Sequence, residues 1–147
     1  IDRSLIDSQH LIISSEGYYP EKIKLNNSDS YIINMTKLDQ KYILEDLLFD
    51  YDSYKLTESV KNFLFLYAQW LKQNDEINIR IEGHTDSVGS DNYNMTLSEN
   101  RANEVLNFFV SEGILKNRMK AIGFGDKIPV AEGYDGPKNR RIEITVF

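Results

Sequence analysis

Residues 81–89 read IEGHTDSVG, and from Gly83 to Gly89 two glycines, a histidine, a threonine, an aspartate and a serine fall within seven positions. So dense a set of polar groups admits four readings: a catalytic elbow, a metal site, a binding site or a turn. Nucleophilic chemistry would need Ser87 or Ser98 activated by His84, and no G-x-S-x-G elbow accompanies them. A cation held by His84, Asp86 and Asp91 would lack the usual two-histidine or four-ligand spacing. The stretch from Asp86 onward also misses the alternating ligands and final glutamate of a calcium loop. His84 is therefore expected to hydrogen-bond backbone and shape the loop, while Gly83 and Gly89 allow a sharp turn and close backbone approach to a ligand.

The charged residues suggest recognition. Asp86 lies in the loop and Arg101 lies in the helical pattern that follows, expected one turn into that helix. If both face one cleft they suit a zwitterion, with a carboxylate for an ammonium and a guanidinium fork for a carboxylate. The alternative is that they pair with each other, a contact of roughly 0–1 kcal/mol if exposed. Both readings stay open on the residues alone. A second cluster, PKNRRIEI, brings Arg140 and Arg141 side by side into a strand, so they project to opposite faces. One can reach the ligand-side rim while the other covers the sheet.

Those side chains need elements to position them. Over residues 57–74 apolar side chains recur at Val60, Phe63, Leu64, Tyr67, Trp70 and Leu71, one stripe of an amphipathic helix with Thr57 as N-cap. A second helix is expected from about Met95 to Glu112, burying Leu97, Ala102, Val105, Leu106, Phe109 and Val110, with Gly113 as its stop. Strands are expected at 47–52, 77–81, 118–125 and 140–146, the second and last with strict alternation. The order β-α-β-α-β-β predicts an α+β fold, a two-layer sandwich of a mixed sheet against two main helices. Residues 1–40 read as a β-rich extension, or the tail of a preceding β-sandwich domain, with extended runs at LIISS, KIKL and YIINM; residues 41–147 form the main domain.

Composition narrows the classes. A chain of 147 residues with 41% apolar residues can bury a core. A net charge of −6 and no block of lysine or arginine argue against nucleic acid. The longest apolar run, FLFLYAQWL, falls short of the roughly 20 residues that span a bilayer. The chain opens on Ile1 without a signal segment and is expected to be a processed or excised piece. It has no cysteine, so thiolate chemistry and Cys-ligated zinc drop out.

Four stretches in one order, FDYDSYKL, IEGHTDSVGSDNYNMTLSENRA, GFGDKIPV and NRRIEI, resemble the OmpA-like peptidoglycan-binding domain family over residues 42–147. The resemblance implies a non-enzymatic domain without a cofactor. It would bind the zwitterionic end of meso-diaminopimelate in the peptidoglycan stem peptide. By the same resemblance Asp86 would hold the ammonium and Arg101 the carboxylate, Tyr51 and Asp52 would line the pocket, and Thr85, Asn94 and Arg140 would complete its rim. Two departures stand out: the loop VAEGYDGPK is short, and Tyr51 is bulkier than the small residue expected there. The implied setting is the periplasm of a Gram-negative bacterium, at the outer membrane and cell wall, with membrane tethering only through regions outside this chain and a homodimer left open. The alternatives are the wall-gripping part of a motor stator or secretion machine, and a wall hydrolase using His84 and Asp86. The N-terminal stretch around EGYYP resembles the closing strands of the small β-sandwich that precedes this domain in some Bacteroidetes-type envelope proteins.

Overall fold

The computed structural model describes residues 2–7, 10–26, 31–45, 49, 53–130 and 136–147. The chain opens with β1 (Asp2–Asp7), β2 (His10–Ser14) and β3 (Glu21–Lys24), an antiparallel meander. There follow β4 (Tyr42–Glu45), α1 (Glu58–Gln73), β5 (Ile79–His84), α2 (Asp91–Ser111), β6 (Met119–Gly123) and β7 (Arg141–Val146). The second sheet has the order β4-β7-β5-β6, with β5 and β6 parallel and the other pairs antiparallel, so the last strand is an interior one. The expected β-α-β-α-β-β succession and mixed sheet are what the structure contains. Among the described residues no helix is long and apolar enough to cross a membrane.

One face of the sheet carries the core. Ile79 and Ile81 of β5 and Ile142 and Ile144 of β7 point to the same side and are buried against Leu64, Tyr67 and Leu71 of α1 and Ala102, Val105 and Phe109 of α2. Each such aliphatic side chain contributes about 1.5–3 kcal/mol when fully buried. Phe63, in the expected α1 stripe, is only partly buried, and Val110, expected inside, is exposed. Thr57 is the N-cap of α1 with extended backbone, but its side chain makes no capping bond. Gly113 follows the cap of α2 at φ 91°, and its N–H closes the last turn on the Val110 carbonyl. Arg118 reaches under the other helix end, donating to the carbonyls of Leu71, Asn74 and Ile77 at 2.7–3.0 Å. It supplies the partners that the end of a helix otherwise lacks.

The helix α2 lies very close to the sheet because Gly83 and Gly123 are neighbours across β5 and β6. A Cβ on Gly83 would sit 2.1 Å from the Ser98 carbonyl oxygen, and one on Gly123 2.5 Å from the Glu99 nitrogen. Gly83 thus makes room for a helix, not for a ligand as its sequence setting suggests.

The N-terminal segment is fastened by Tyr19, which is fully buried among Tyr42, Tyr67 and Trp70. Its hydroxyl lies within donating distance of the Gln40 and Ile144 carbonyls and accepts from the Val146 N–H.

Three boundaries depart from expectation. The strand before α1 is Tyr42–Glu45; of the expected stretch 47–52 only Phe49 is described, in an isolated bridge to Leu56. The run YIINM forms no strand: the Tyr31 hydroxyl turns back onto the Asn26 backbone at 2.6–2.7 Å, and Ile32 is 96% exposed. Helix α2 begins at Asp91, four residues before Met95, because the Ser90 hydroxyl caps it by accepting the Tyr93 N–H.

Candidate functional site

The loop of interest leaves the carboxyl end of β5 beside the end of β6. The Thr85 N–H donates to the Gly125 carbonyl and the Phe124 N–H to the Gly83 carbonyl, both at 2.9 Å, so the two strand ends stay stitched beyond the ladder. Asp86 follows and is buried. Its Oδ1 accepts the Val88 N–H at 3.2 Å, and its Oδ2 accepts from Arg140 Nη1 at 2.8 Å. Gly89, at φ 107°, then turns the chain into the Ser90 cap. That left-handed conformation favours glycine.

Arg101 enters from the other side. Because α2 starts early, Arg101 is its eleventh residue, almost three turns in and not one, about 15 Å along the axis from Asp91. It is buried. Its Nε donates to the Ser53 carbonyl at 3.0 Å, and its guanidinium lies over the Phe49 ring at 5.0 Å. Phe49 and Ser53, both from the stretch between β4 and α1, therefore pack on Arg101. Asp86 and Arg101 are each held by a different partner, Arg140 for the acid and Ser53 for the base.

Thr85 and Asn94 are the other polar residues expected here. Both are buried, and Thr85 Oγ1 and Asn94 Nδ2 have no hydrogen-bond partner among the described residues. Asn94 lies on the first turn of α2, with its Oδ1 against Gly89. Buried polar atoms of this kind are normally satisfied by water, an ion or a ligand where protein does not supply a partner. Of the residues expected at this site, Asp86, Arg101, Thr85, Asn94 and Arg140 are described; Tyr51 and Asp52 lie outside the described residues.

One of the two candidate nucleophiles is tied up in structural bonds. Ser98 is fully buried, and its hydroxyl donates to the Met95 carbonyl and accepts the Gly125 N–H, both at 2.8 Å. His84 does not hydrogen-bond the backbone as expected. Among the described residues neither ring nitrogen has a hydrogen-bond partner, and the ring stacks on Phe124 at 5.5 Å. Burial first, and the Arg141 charge second, lower its pKa from 6.5 to about 4, so the ring is neutral at physiological pH.

His84 lies on the sheet face away from the helices, with Arg80 and Glu82 of β5 and Arg141 and Glu143 of β7. Lys41 closes over this group, donating to Glu143 Oε2 at 2.6 Å and Glu82 Oε2 at 3.1 Å. Arg141 Nε donates to Glu143 Oε1 at 2.7 Å. Burial alone would raise the Glu143 pKa, but the hydrogen bonds from Lys41 and Arg141 outweigh it and the net shift is downward. Sequence reading missed this network. The alternation of INIRIEGH marks the polar face, but the pairing of Glu82 with Glu143 depends on a register between strands 61 residues apart.

Residues 48–143 match the OmpA family. Outer membrane porin F of Pseudomonas aeruginosa is 40% identical over 105 residues, which cover 69% of this chain and 30% of that protein. The crystal structure of the peptidoglycan-associated lipoprotein from Burkholderia pseudomallei is 32% identical, covers 71% of this chain and 91% of its own, and superposes with a TM-score of 0.65. A MotB-like protein from Desulfovibrio vulgaris is 27% identical with a TM-score of 0.62, covering 72% of this chain and 71% of its own. The chain spans about a third to a half of the length of the curated relatives it matches.

Proposed function

This chain belongs to the OmpA family, and from that premise we propose that it grips peptidoglycan non-covalently through the zwitterionic end of meso-diaminopimelate in the stem peptide. The observation that carries the reading is the pair of buried, opposite charges, Asp86 and Arg101, each steadied by a third group. Asp86 takes the ligand ammonium and Arg101 the carboxylate. Thr85 Oγ1 and Asn94 Nδ2, buried without partners, are available to the polar groups between them. Arg140 aims the Asp86 carboxylate, and the family resemblance would add Tyr51 and Asp52 to the ligand contacts. Contacts of this charge-assisted kind contribute about 1.5–3 kcal/mol each, a modest grip for one site that many tethered copies on one wall would strengthen.

The role is that of an anchor in the periplasm of a Gram-negative bacterium, tying an envelope protein to its wall. Hydrolysis by His84 and Asp86 is disfavoured, because His84 is buried behind Phe124 and Asp86 is engaged by Arg140. The likeness to a MotB-like structure supports a second assignment, in which the same grip serves a motor stator.

Retention on purified sacculi tests the reading. Asp86→Ala and Arg101→Ala are each expected to lower retention at least tenfold, about 1.4 kcal/mol, while the circular dichroism spectrum is unchanged. A soluble stem peptide ending in meso-diaminopimelate should compete, and the same peptide amidated at the side-chain carboxylate should not. Full retention by both folded variants overturns the proposal, and release of muropeptides would restore the hydrolase.

A further inference from the structure

The ionisable group on the far face of the sheet lies outside the residues proposed for the wall contact. Glu82, His84 and Glu143 are all buried, and one ligand atom from each lies within 4.8 Å of the others. His84 Nε2 stands 3.8 Å from Glu143 Oε2, and neither ring nitrogen has a hydrogen-bond partner among the described residues. An imidazole so deeply buried with both nitrogens unbonded is costly unless something else engages it. Two carboxylate oxygens and one imidazole nitrogen form a ligand set suited to zinc. Ligands about 2.0–2.2 Å from a tetrahedral zinc ion stand roughly 3.3–3.6 Å apart, so the His84–Glu143 separation needs to close by only a few tenths of an ångström.

The position between the carboxylates is already that of a cation. The Lys41 ammonium bridges Glu82 and Glu143 at 3.1 and 2.6 Å, on a side chain that is 45% exposed and able to swing into water. Arg141 holds the other oxygen of Glu143, and Arg80 stands 2.5 Å from the other oxygen of Glu82, without hydrogen-bond alignment. These guanidiniums fix the carboxylates and also repel a second cation, which limits affinity.

We propose that Glu82, His84 and Glu143 bind a divalent cation of the zinc type, which enters by displacing the Lys41 ammonium. Three protein ligands would leave one position for water. The inference is independent of the wall contact, and either can fail without the other.

The test is calorimetric titration of the chelator-treated protein with Zn²⁺, supported by the visible spectrum with Co²⁺. One ion per chain is expected, with a roughly micromolar Kd. His84→Gln should weaken binding at least about tenfold. Lys41→Ala, which removes the competing charge, should tighten it about tenfold. His10→Gln, at the only other histidine, should change nothing. Should His84→Gln fail to fold, the Lys41→Ala comparison decides. Failure of both wild type and Lys41→Ala to bind, weaker binding by Lys41→Ala, or loss of binding with His10→Gln each overturns the proposal. A structural water on His84 would then be its remaining partner.

Discussion

The carboxylate of Asp86 is held by Arg140, a residue 54 positions further along the chain, through an Nη1–Oδ2 contact of 2.8 Å. Strand β7 runs antiparallel to β5 with Arg141 opposite His84, so the residue before Arg141 arrives beside the loop that follows His84. The Arg140 side chain is 37% exposed, and a pair at that exposure is worth about 0–1 kcal/mol. Arg140→Ala is therefore expected to weaken retention on sacculi a fewfold, with a smaller effect in high salt, whereas Asp86→Ala removes it. Equal losses for the two variants would mean that Arg140 contacts the ligand itself.

Stability should fall in mild acid. In the folded protein His84 resists protonation until about pH 4, while the unfolded chain takes up that proton near 6.5. Between those values the unfolded state binds more protons. The contribution is therefore whole above pH 6.5 and is lost as pH falls toward 4, on the order of 3 kcal/mol in all. Glu143, with its pKa lowered, adds a loss in the same direction below its ordinary value of 4.5. Urea midpoints measured with chelator from pH 7.5 to 4.5 should decline, and His84→Gln should flatten the upper part of the curve.

Gly83 is where α2 touches the sheet. A methyl group there would meet the Ser98 carbonyl at 2.1 Å, backbone against backbone in effect, with no side chain to yield. Gly83→Ala should cost roughly 3 kcal/mol or more and shift the Arg101 helix away from the loop. Gly89→Ala, which strains only a left-handed turn beside the Tyr93 ring, should cost about 1 kcal/mol. Parallel thermal melts would show whether that order holds.

Tyr67 lies fully buried in the aromatic core, and its hydroxyl has no hydrogen-bond partner among the described residues. Removing a buried, unsatisfied polar atom at constant shape is neutral to stabilising by about 1 kcal/mol. Tyr67→Phe should accordingly raise the urea midpoint or leave it unchanged. A marked loss would reveal a bound water on that oxygen.

Helix α1 could be read from its residues because Val60, Leu64, Tyr67 and Leu71 repeat at helical spacing and nothing competes with that period. The start of α2 could not. Its first turn, Asp91 to Asn94, offers no apolar stripe, and only the Ser90 cap announces it. That early start puts Arg101 four residues, about one turn, deeper into the helix than a start at Met95 would. Asp86 and Arg101 stand out by charge alone, but their partners do not. Arg140 reaches Asp86 through strand order, and the Ser53 carbonyl belongs to backbone, which leaves no trace in side-chain identity. Lys41 was invisible for the same reason: it precedes β4, and β4 pairs with the last strand rather than with the next. The resemblance to relatives helped most where motifs carry function, and least for the buried charges behind them.

Because β7 is inserted between β4 and β5, the sheet is not continuous until residues 141–146 are in place. A chain emerging amino-terminus first, whether from a ribosome or through a translocation channel, holds β4 with no neighbour and β5 with β6 alone. It lacks Ile142 and Ile144, which fill the middle of the core. Long-range pairing of this kind makes closure late and all-or-none. The domain is therefore expected to fold only once its last strand has been delivered. A version cut before Arg141 should be a protease-sensitive coil rather than a weakened fold.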